Sequence, residues 1–157
     1  MEQTGDSHHD RYERVLHGGT FNANPYAAAT GNAALKLVAT GQLQDQADRM
    51  AERIRVGLRE IMGRYEVNAA VYGDSSTFHV YFGGRSIEGL DANALKNQPA
   101  ETQTAFRQAL QVRGVDLMSR SSGVLSGTHT DADIDHTLES MDGAIQAMVE
   151  EGLVSHG

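Results

Sequence analysis

The fold of this chain is decided by the stretch His17-Gly18-Gly19-Thr20-Phe21-Asn22-Ala23-Asn24-Pro25. Two adjacent glycines let backbone N–H groups converge on an anion, and the threonine hydroxyl adds a donor. Asn24 followed by Pro25 is typical of a helix start, because asparagine is a good N-cap and proline suits the first helical position. The N-terminus of that helix would add a positive dipole end. On spacing alone, however, the pattern favours a simple turn before a capped helix over a phosphate site.

After this stretch the hydrophobic pattern has the period of helices. A first helix, rich in alanine, is predicted over residues 25–40, with Gly41 capping its end. A second helix is predicted over 44–64, because apolar residues recur there at three- or four-residue steps. These residues are Leu43, Ala47, Met50, Ile54, Leu58 and Ile61. The charged residues between them, Arg55 included, are predicted to form a solvated face.

The period then changes to two, which is typical of strands. A hairpin is predicted from strands at 67–72 and 77–82 around a short turn at 73–76. The remaining predictions, in order, are a loop over 85–99, a helix over 101–112, short strands at 115–118 and 123–126, and a last helix after Thr130. Thr130 and Asp133 have the spacing of a capping box. This order predicts an α+β fold with a mostly antiparallel sheet of three or four strands, helices packed on it, and a long helix before it.

Composition excludes several classes of protein. The net charge is −8, from 13 Lys and Arg against 21 Asp and Glu, and no basic patch is present, so nucleic acid is not an expected partner. The chain has no cysteine, which excludes disulfides and thiolate metal sites. No apolar run approaches the ~20 residues of a membrane helix. Residues 1–17 are polar and predict a loop without an apolar leader core, so the expected location is the cytoplasm.

The whole opening motif resembles a known family signature. In fold-type I, class III aminotransferases, the family that includes glutamate-1-semialdehyde aminomutase, the motif H-G-G-T-F-x-x-N-P precedes an alanine-rich helix. The resemblance continues in the family's order to the end of the chain. It is carried by Thr77-Phe78-His79-Val80-Tyr81-Phe82, by Arg113-Gly114-Val115-Asp116-Leu117, and by His129-Thr130-Asp131 followed by Asp133-Ile134-Asp135.

The resemblance implies a homodimer that uses pyridoxal 5'-phosphate, a small-molecule amino donor and a carbonyl acceptor. It implies that Gly19 and Thr20 reach the cofactor phosphate of the neighbouring subunit. Residues 1–41 are then expected to be a remnant of the large cofactor-binding domain. Residues 42–157 are expected to be the C-terminal small domain.

The resemblance also implies that the main catalytic and cofactor-binding groups of the family are missing from this sequence. The family's Schiff-base lysine, its pyridine-binding aspartate and its phosphate cup all precede the matched motif. The lysines present are Lys36 and Lys96, and neither occupies the position of the catalytic lysine. No catalytic residue is therefore predicted. Met1-Glu2 resembles an internal site of the family, so the chain is expected to be a C-terminal part that is inactive alone.

Two alternatives stay open. One is glutamate-1-semialdehyde 2,1-aminomutase itself, although the stretch Ser119-Arg120-Ser121-Ser122-Gly123 has no acidic residue and favours a general class III aminotransferase. The other is a non-catalytic dimerisation module with the same fold. DNA upstream of Met1 would separate the aminotransferase from the module.

Histidines and aspartates elsewhere predict no metal site. His8 and His9 are expected to be solvated. Asp131, Asp133 and Asp135 alternate as in a calcium loop, but His136 stands where the loop glycine belongs, so they are expected to interact with a helix N-terminus instead. His79 and His129 are predicted to be structural.

Overall fold

Residues 4–13 and 18–155 are described by the computed structural model, in which the chain divides into two units between Ala39 and Thr40. The first unit contains helix α1 (Pro25–Val38) and, before it, a short helical segment, His9–Glu13. The prediction of a loop was wrong for that segment. Its start is stabilised locally, because the Asp6 carboxylate accepts the backbone N–H of His8 at 2.8 Å.

Helix α1 begins where the sequence predicts. The Asn24 side chain accepts the N–H of Tyr26 at 2.9 Å, and Pro25 occupies the first turn. The helix ends at Val38, before the predicted limit of 40. Gly41 does not end it: with φ +77°, Gly41 is the N-cap residue of the next helix. The prediction that Gly41 caps the end of α1 was therefore wrong, since the C-cap of α1 is Ala39.

The second unit has the α+β order that the sequence predicts, with one additional helix and without the predicted strand at 115–118. Its elements are α2 (Gln42–Arg64), β1 (Ala70–Tyr72), β2 (Thr77–Tyr81), α3 (Ala92–Lys96), α4 (Ala100–Gln111), β3 (Ser122–Val124) and α5 (Asp131–Glu150). The strands form a three-stranded sheet in the order β1-β2-β3, and both pairs are antiparallel. Tyr72 and Ser122 both pair with His79, on either side of it. The predicted fold class is therefore confirmed.

The core of the second unit lies between one face of the sheet and helices α2, α4 and α5. Phe78 and Val80 alternate along β2 toward this core, and Phe82 meets Phe106 edge to face with ring centroids 5.3 Å apart. The helices contribute fully buried side chains at Met50, Ile54, Leu58, Phe106, Leu110, Ile134, Met141, Ile145 and Met148. The apolar stripe predicted on α2 is buried except at Leu43, which is 38% exposed.

Two short segments differ from the prediction. Residues 115–118 form no strand: Leu117 is buried, but Met118 is 74% exposed. The predicted loop over 85–99 contains α3, so Lys96 is the last residue of a helix and not part of a loop. Asp91 starts this helix by accepting the N–H groups of Asn93 and Ala94, and this cap was not predicted from the sequence.

Arg55 is not on a solvated face, contrary to the prediction. It is 7% exposed, and its guanidinium donates to the backbone carbonyls of Ser75 at 2.9 Å and Thr77 at 2.5 Å. It also donates to the Glu52 carboxylate at 2.7 Å. Helical periodicity places Arg55 beside the core stripe, but only the fold brings the hairpin turn against it. This arginine therefore fixes the turn between β1 and β2 to α2.

Candidate functional site

The predicted phosphate-contact motif forms two consecutive turns that lead directly into α1. The Asn22 N–H donates to the Gly19 carbonyl at 3.0 Å, and the Asn24 N–H donates to the Phe21 carbonyl at 3.1 Å. Ala23 lies in the left-handed region with φ +61°. Such a conformation is uncommon for a residue with a side chain, and here it redirects the backbone into the helix. His17, the first residue of the motif, lies outside the described residues.

Gly19 lies close to the side chain of Asn22. A Cβ on this residue would lie 2.8 Å from Oδ1 of Asn22, whose side chain folds back across the turn. Gly18 has no such constraint, because a Cβ there would meet nothing within 4 Å. A side chain at position 19 would therefore displace the exposed side chain of Asn22 from the turn.

The turn presents unused hydrogen-bond donors. Gly19 and Thr20 are exposed, and within residues 4–13 and 18–155 their backbone N–H groups and the Thr20 hydroxyl bond to no other residue. Phosphate oxygens accept such hydrogen bonds readily, and charge-assisted bonds of this kind are the strong ones. The residues present thus fit a phosphate group.

The start of α1 contributes less than its dipole suggests. Pro25 has no N–H, and the N–H of Tyr26 is already taken by the Asn24 side chain. Two of the donors that a helix N-terminus normally offers to an anion are therefore absent or used. Any phosphate contact at this site would therefore rest mainly on the turn, where the resemblance places Gly19 and Thr20.

The other polar candidates have local partners. The imidazole of His129 accepts the backbone N–H of Ser126 through Nδ1 at 2.8 Å, which holds the entry to α5. Nδ1 of His79 lies 2.7 Å from the Ser122 hydroxyl, and the ring stacks on Tyr72 with centroids 4.9 Å apart. Burial lowers the pKa of His79 and raises the pKa of Tyr72. These contacts agree with structural roles for both histidines.

The acidic residues at the start of α5 also have structural partners. Thr130 and Asp133 form the predicted capping box, and Arg53 of α2 donates to Asp131 and Asp135, each at 2.6 Å. His9 faces Glu13 at 3.1 Å. In the part of the chain that the structure describes, no group of three or more His, Asp or Glu side chains is arranged to hold a metal ion.

None of the described helices combines the length and the apolarity that crossing a bilayer requires.

Comparison with known proteins supplies independent evidence. The model of the family described as Aminotransferase class-III matches residues 3–82, which include the turn, α1, α2 and the β1–β2 hairpin. A glutamate-1-semialdehyde 2,1-aminomutase from Methanothermobacter thermautotrophicus is 26% identical over 136 residues, which are 85% of this chain and 32% of that protein. The corresponding protein of Desulfitobacterium hafniense is 30% identical over 127 residues, 80% of this chain and 29% of its own length.

Solved structures agree on the fold. A β-phenylalanine aminotransferase from Variovorax paradoxus superposes with a TM-score of 0.70 at 22% identity and covers 92% of this chain and 33% of its own. An ω-transaminase from Sphaerobacter thermophilus gives a TM-score of 0.68 at 23% identity, with 84% and 30% covered. The chain therefore spans about a third of the length of the relatives that it matches.

Proposed function

Because this chain belongs to the class-III aminotransferase family, we propose that it is the C-terminal part of an enzyme that transfers an amino group between an amino donor and a carbonyl acceptor. In this proposal the chain contributes the C-terminal small domain, residues 42–157, and a piece of the large domain, residues 1–41. Both the amino donor and the carbonyl acceptor are small molecules. The expected compartment is the cytoplasm.

The turn before α1 is the part of this chain that we assign to the cofactor. Pyridoxal 5'-phosphate, when bound, supplies an electron sink for the reacting carbon. We assign to the backbone N–H groups of Gly19 and Thr20, and to the Thr20 hydroxyl, the task of holding its phosphate. The observation that carries the assignment is that these donors are exposed and unpaired among the described residues.

A homodimer is part of the proposal. Every described residue of α1 is exposed, including Tyr26, Leu35 and Leu37, which are 83%, 68% and 62% exposed. A helix of 14 residues is only marginally stable without packing. Contacts with the rest of the large domain and with a second subunit would supply that packing, and would bring the turn to the neighbouring subunit's cofactor.

A second candidate is glutamate-1-semialdehyde 2,1-aminomutase. It is favoured by the names of the sequence relatives, of which two are described above. The general aminotransferase is preferred because residues 119–123 include no acid. Conversion of glutamate-1-semialdehyde without any added amino donor, by an enzyme that contains this chain and the catalytic lysine, would reverse this preference.

The assignment of Gly19 and Thr20 can be tested on the 157-residue chain by NMR. The chain is titrated with pyridoxamine 5'-phosphate, and pyridoxamine without phosphate serves as the matched probe. The amine form is chosen because it cannot form an imine with Lys36 or Lys96. We expect the amide signals of Gly19 and Thr20 to move with the phosphorylated probe alone. Amide signals that do not move, or that move equally with both probes, would contradict the assignment.

The variant Thr20→Ala sharpens this test. Hydrogen bonds to charged groups contribute about 1.5–3 kcal/mol each, so loss of the hydroxyl should weaken phosphate binding by roughly tenfold to a hundredfold. The fold should be unchanged because Thr20 is exposed. The control is Thr104→Ala, which removes an exposed hydroxyl that bonds only within α4. Equal affinities of wild type and Thr20→Ala would leave Thr20 as an ordinary turn residue.

The proposal also predicts that the 157 residues alone do not catalyse transamination. The resemblance places the catalytic lysine upstream of the matched motif, and Lys36 and Lys96 lie in α1 and α3. Turnover of an amino acid by the purified chain with added pyridoxal 5'-phosphate would contradict this prediction.

The alternative of a non-catalytic module is tested by sequencing the DNA upstream of Met1. An open reading frame there that encodes a lysine-bearing segment would exclude the module.

A further inference from the structure

A groove lies beside β1, the first strand of the sheet, in the second unit. It has a volume of about 570 Å³ and is bounded by β1, the C-terminal part of α2 and residues 85–87. The apolar residues of its lining include Met62, Val67 and Ala69, which are 4%, 3% and 8% exposed. The groove therefore combines a strand at the edge of a sheet with a helical wall and buried apolar side chains.

The backbone of β1 directs the hydrogen-bonding groups of Val71 away from the sheet. Val71 lies opposite Val80, and the Val80 N–H points away from β1, because it donates to the Ser121 carbonyl at 2.9 Å. Val71 and Val80 are therefore a non-hydrogen-bonded pair, so the N–H and C=O of Val71 face the outer edge. In agreement, Nε–H of Arg59 donates to the Val71 carbonyl at 3.4 Å. Among residues 4–13 and 18–155, no strand pairs with β1 on this side.

The charged residues of the groove have an excess of positive charge. Its described lining contains Arg59 and Arg85 but a single acid, Glu66. The Arg59 guanidinium lies 3.5 Å from the Glu52 carboxylate, which is bonded more closely to Arg55, at 2.7 Å. The charge of Arg59 is therefore only partly neutralised. In a chain of net charge −8, such a local positive region favours an acidic partner over a basic one.

We propose that this groove binds an extended acidic segment of another protein, which adds a fourth strand to the sheet beside β1. The segment accepts the Val71 N–H and donates to the Val71 carbonyl, as in β-strand addition. This carbonyl has two lone pairs, so the contact of Arg59 leaves room for a second donor. Acidic side chains of the segment bind Arg59 and Arg85. The groove contains no residue of the turn at 18–25, so its function is independent of the proposed cofactor assignment.

The test is an NMR titration of the 157-residue chain with the acetylated and amidated peptide Thr-Glu-Val-Glu-Thr. The matched probe has lysine in place of both glutamates. We expect the Val71 amide signal to move with the glutamate peptide, with a dissociation constant in roughly the millimolar range, and the lysine peptide to bind at least about tenfold more weakly. A Val71 signal that does not move, or that moves equally with both peptides, would show that the proposal is wrong.

Hydrogen exchange distinguishes strand addition from loose ionic binding. At about ten times the dissociation constant of the glutamate peptide, exchange of the Val71 amide should slow by about tenfold, because a bound strand accepts this N–H. Binding without slower exchange at Val71 would overturn the proposal. A Val71 signal that depends on chain concentration without any peptide would assign the edge to a second copy of this chain, and would also overturn it.

Two variants examine the groove itself. Gly63 lines it, and a Cβ there would meet nothing within 4 Å, so Gly63→Leu fills the groove with a residue that favours helix. This variant should abolish binding of the glutamate peptide. The control is Gly31→Leu on α1, where a Cβ also meets nothing within 4 Å, and its affinity should equal that of the wild type. Arg59→Gln should weaken binding by about tenfold, since it removes a charge-assisted contact.

Far-UV circular dichroism checks that each variant is folded. Wild-type affinity in a folded Gly63→Leu would overturn the proposal, as would equal losses in Gly63→Leu and Gly31→Leu. If Gly63→Leu does not fold, Arg59→Gln decides the question, and unchanged affinity in that variant contradicts the role of the charge.

Discussion

The two units of this chain are stabilised in different ways. In the second unit the helices and the sheet share one core, and all of the buried apolar residues in the described chain belong to it. In the first unit no described residue is buried, although α1 is well formed and begins with an Asn24 cap. The first unit contains the turn that resembles the family motif, whereas the second unit contains the buried core.

This difference indicates where each unit obtains its stability. An isolated helix of fewer than ~12–15 residues is marginal in water, so local signals can place α1 but contribute little to its stability. In the second unit, side chains that are fully removed from water stabilise the fold through the hydrophobic effect. A mutation in the core should therefore change global unfolding, whereas a mutation in the first unit should change only local structure or binding.

The largest contrast is expected between two phenylalanines. Phe106 is fully buried against Phe82, whereas Phe21 is 77% exposed. Phe106→Ala should lower the free energy of unfolding by about 3–5 kcal/mol, because it leaves a cavity in the core. Phe21→Ala should change it by less than about 0.5 kcal/mol. Denaturant unfolding followed by far-UV circular dichroism measures both values.

If Phe106→Ala does not fold, a milder variant allows the same comparison to be measured. Phe106→Leu keeps most of the apolar volume and should lie between the wild type and the alanine variant. Similar losses of stability for the Phe106 and Phe21 variants would mean that the two units unfold together as one cooperative structure.

The next contrast is between two arginines of α2. Arg55→Ala should cost about 2–3 kcal/mol, because the carbonyls of Ser75 and Thr77 lose a charged donor. Arg59 is exposed, and Arg59→Ala should cost less than about 0.5 kcal/mol. Urea denaturation of the two variants checks the difference, and equal costs would contradict the anchoring role of Arg55.

Glu52 provides a second readout of the Arg55 contact. A hydrogen bond from Arg55 holds the pKa of the Glu52 carboxyl below its ordinary value, with weaker help from Arg59. In Arg55→Ala this pKa should rise toward the ordinary value, which NMR titration of the Glu52 side chain would detect. A pKa that stays low would mean that Arg59 alone is sufficient.

The second unit also shows how far a sequence can predict a fold. Strong periodicity located α2, α4 and α5 to within a few residues, and the Thr130 capping box was predicted and observed. Tertiary contacts could not be predicted from periodicity in the same way. The burial of Arg55 depends on the hairpin turn, which lies 20 residues further along the chain at Ser75.

The candidate site at the turn could be predicted because Gly19 and Thr20 belong to one continuous motif. The structure adds two features, the unpaired donors of these residues and the close approach of the Asn22 side chain. Neither that approach nor the left-handed backbone of Ala23 could be predicted, because both depend on the three-dimensional course of the turn.

A smaller contrast concerns the two helix caps. The Thr130 hydroxyl accepts the Asp133 N–H at 3.3 Å, and Asp133 accepts the Thr130 N–H at 2.8 Å. Thr130→Ala should destabilise the second unit by ~1 kcal/mol, because α5 is part of its core. Asn24→Ala should reduce the helicity of α1 without moving the main unfolding transition. Circular dichroism and thermal unfolding together test both outcomes, and a shifted transition in Asn24→Ala would contradict the separation of the units.

The smallest effect is expected in the pH dependence of the α5 cap. The Thr130 backbone N–H, and then its hydroxyl, hold the pKa of Asp133 below its ordinary value. A depressed pKa in the folded state means that the ionised cap stabilises above the unfolded-state pKa, and that this contribution is lost as the pH falls through the folded-state pKa. The pKa of Asp116 is also held below its ordinary value, because Gln111 and Arg107 bond to its carboxylate. The pH dependence of the wild type alone therefore does not isolate the contribution of Asp133.

The useful quantity is the difference in thermal midpoint between wild type and Asp133→Asn at each pH. This difference should be largest near neutral pH and should shrink in acid, because a protonated Asp133 and a neutral asparagine are then equivalent in charge. A difference that is the same at every pH would mean that the cap acts through hydrogen-bond geometry and not through the charge of Asp133.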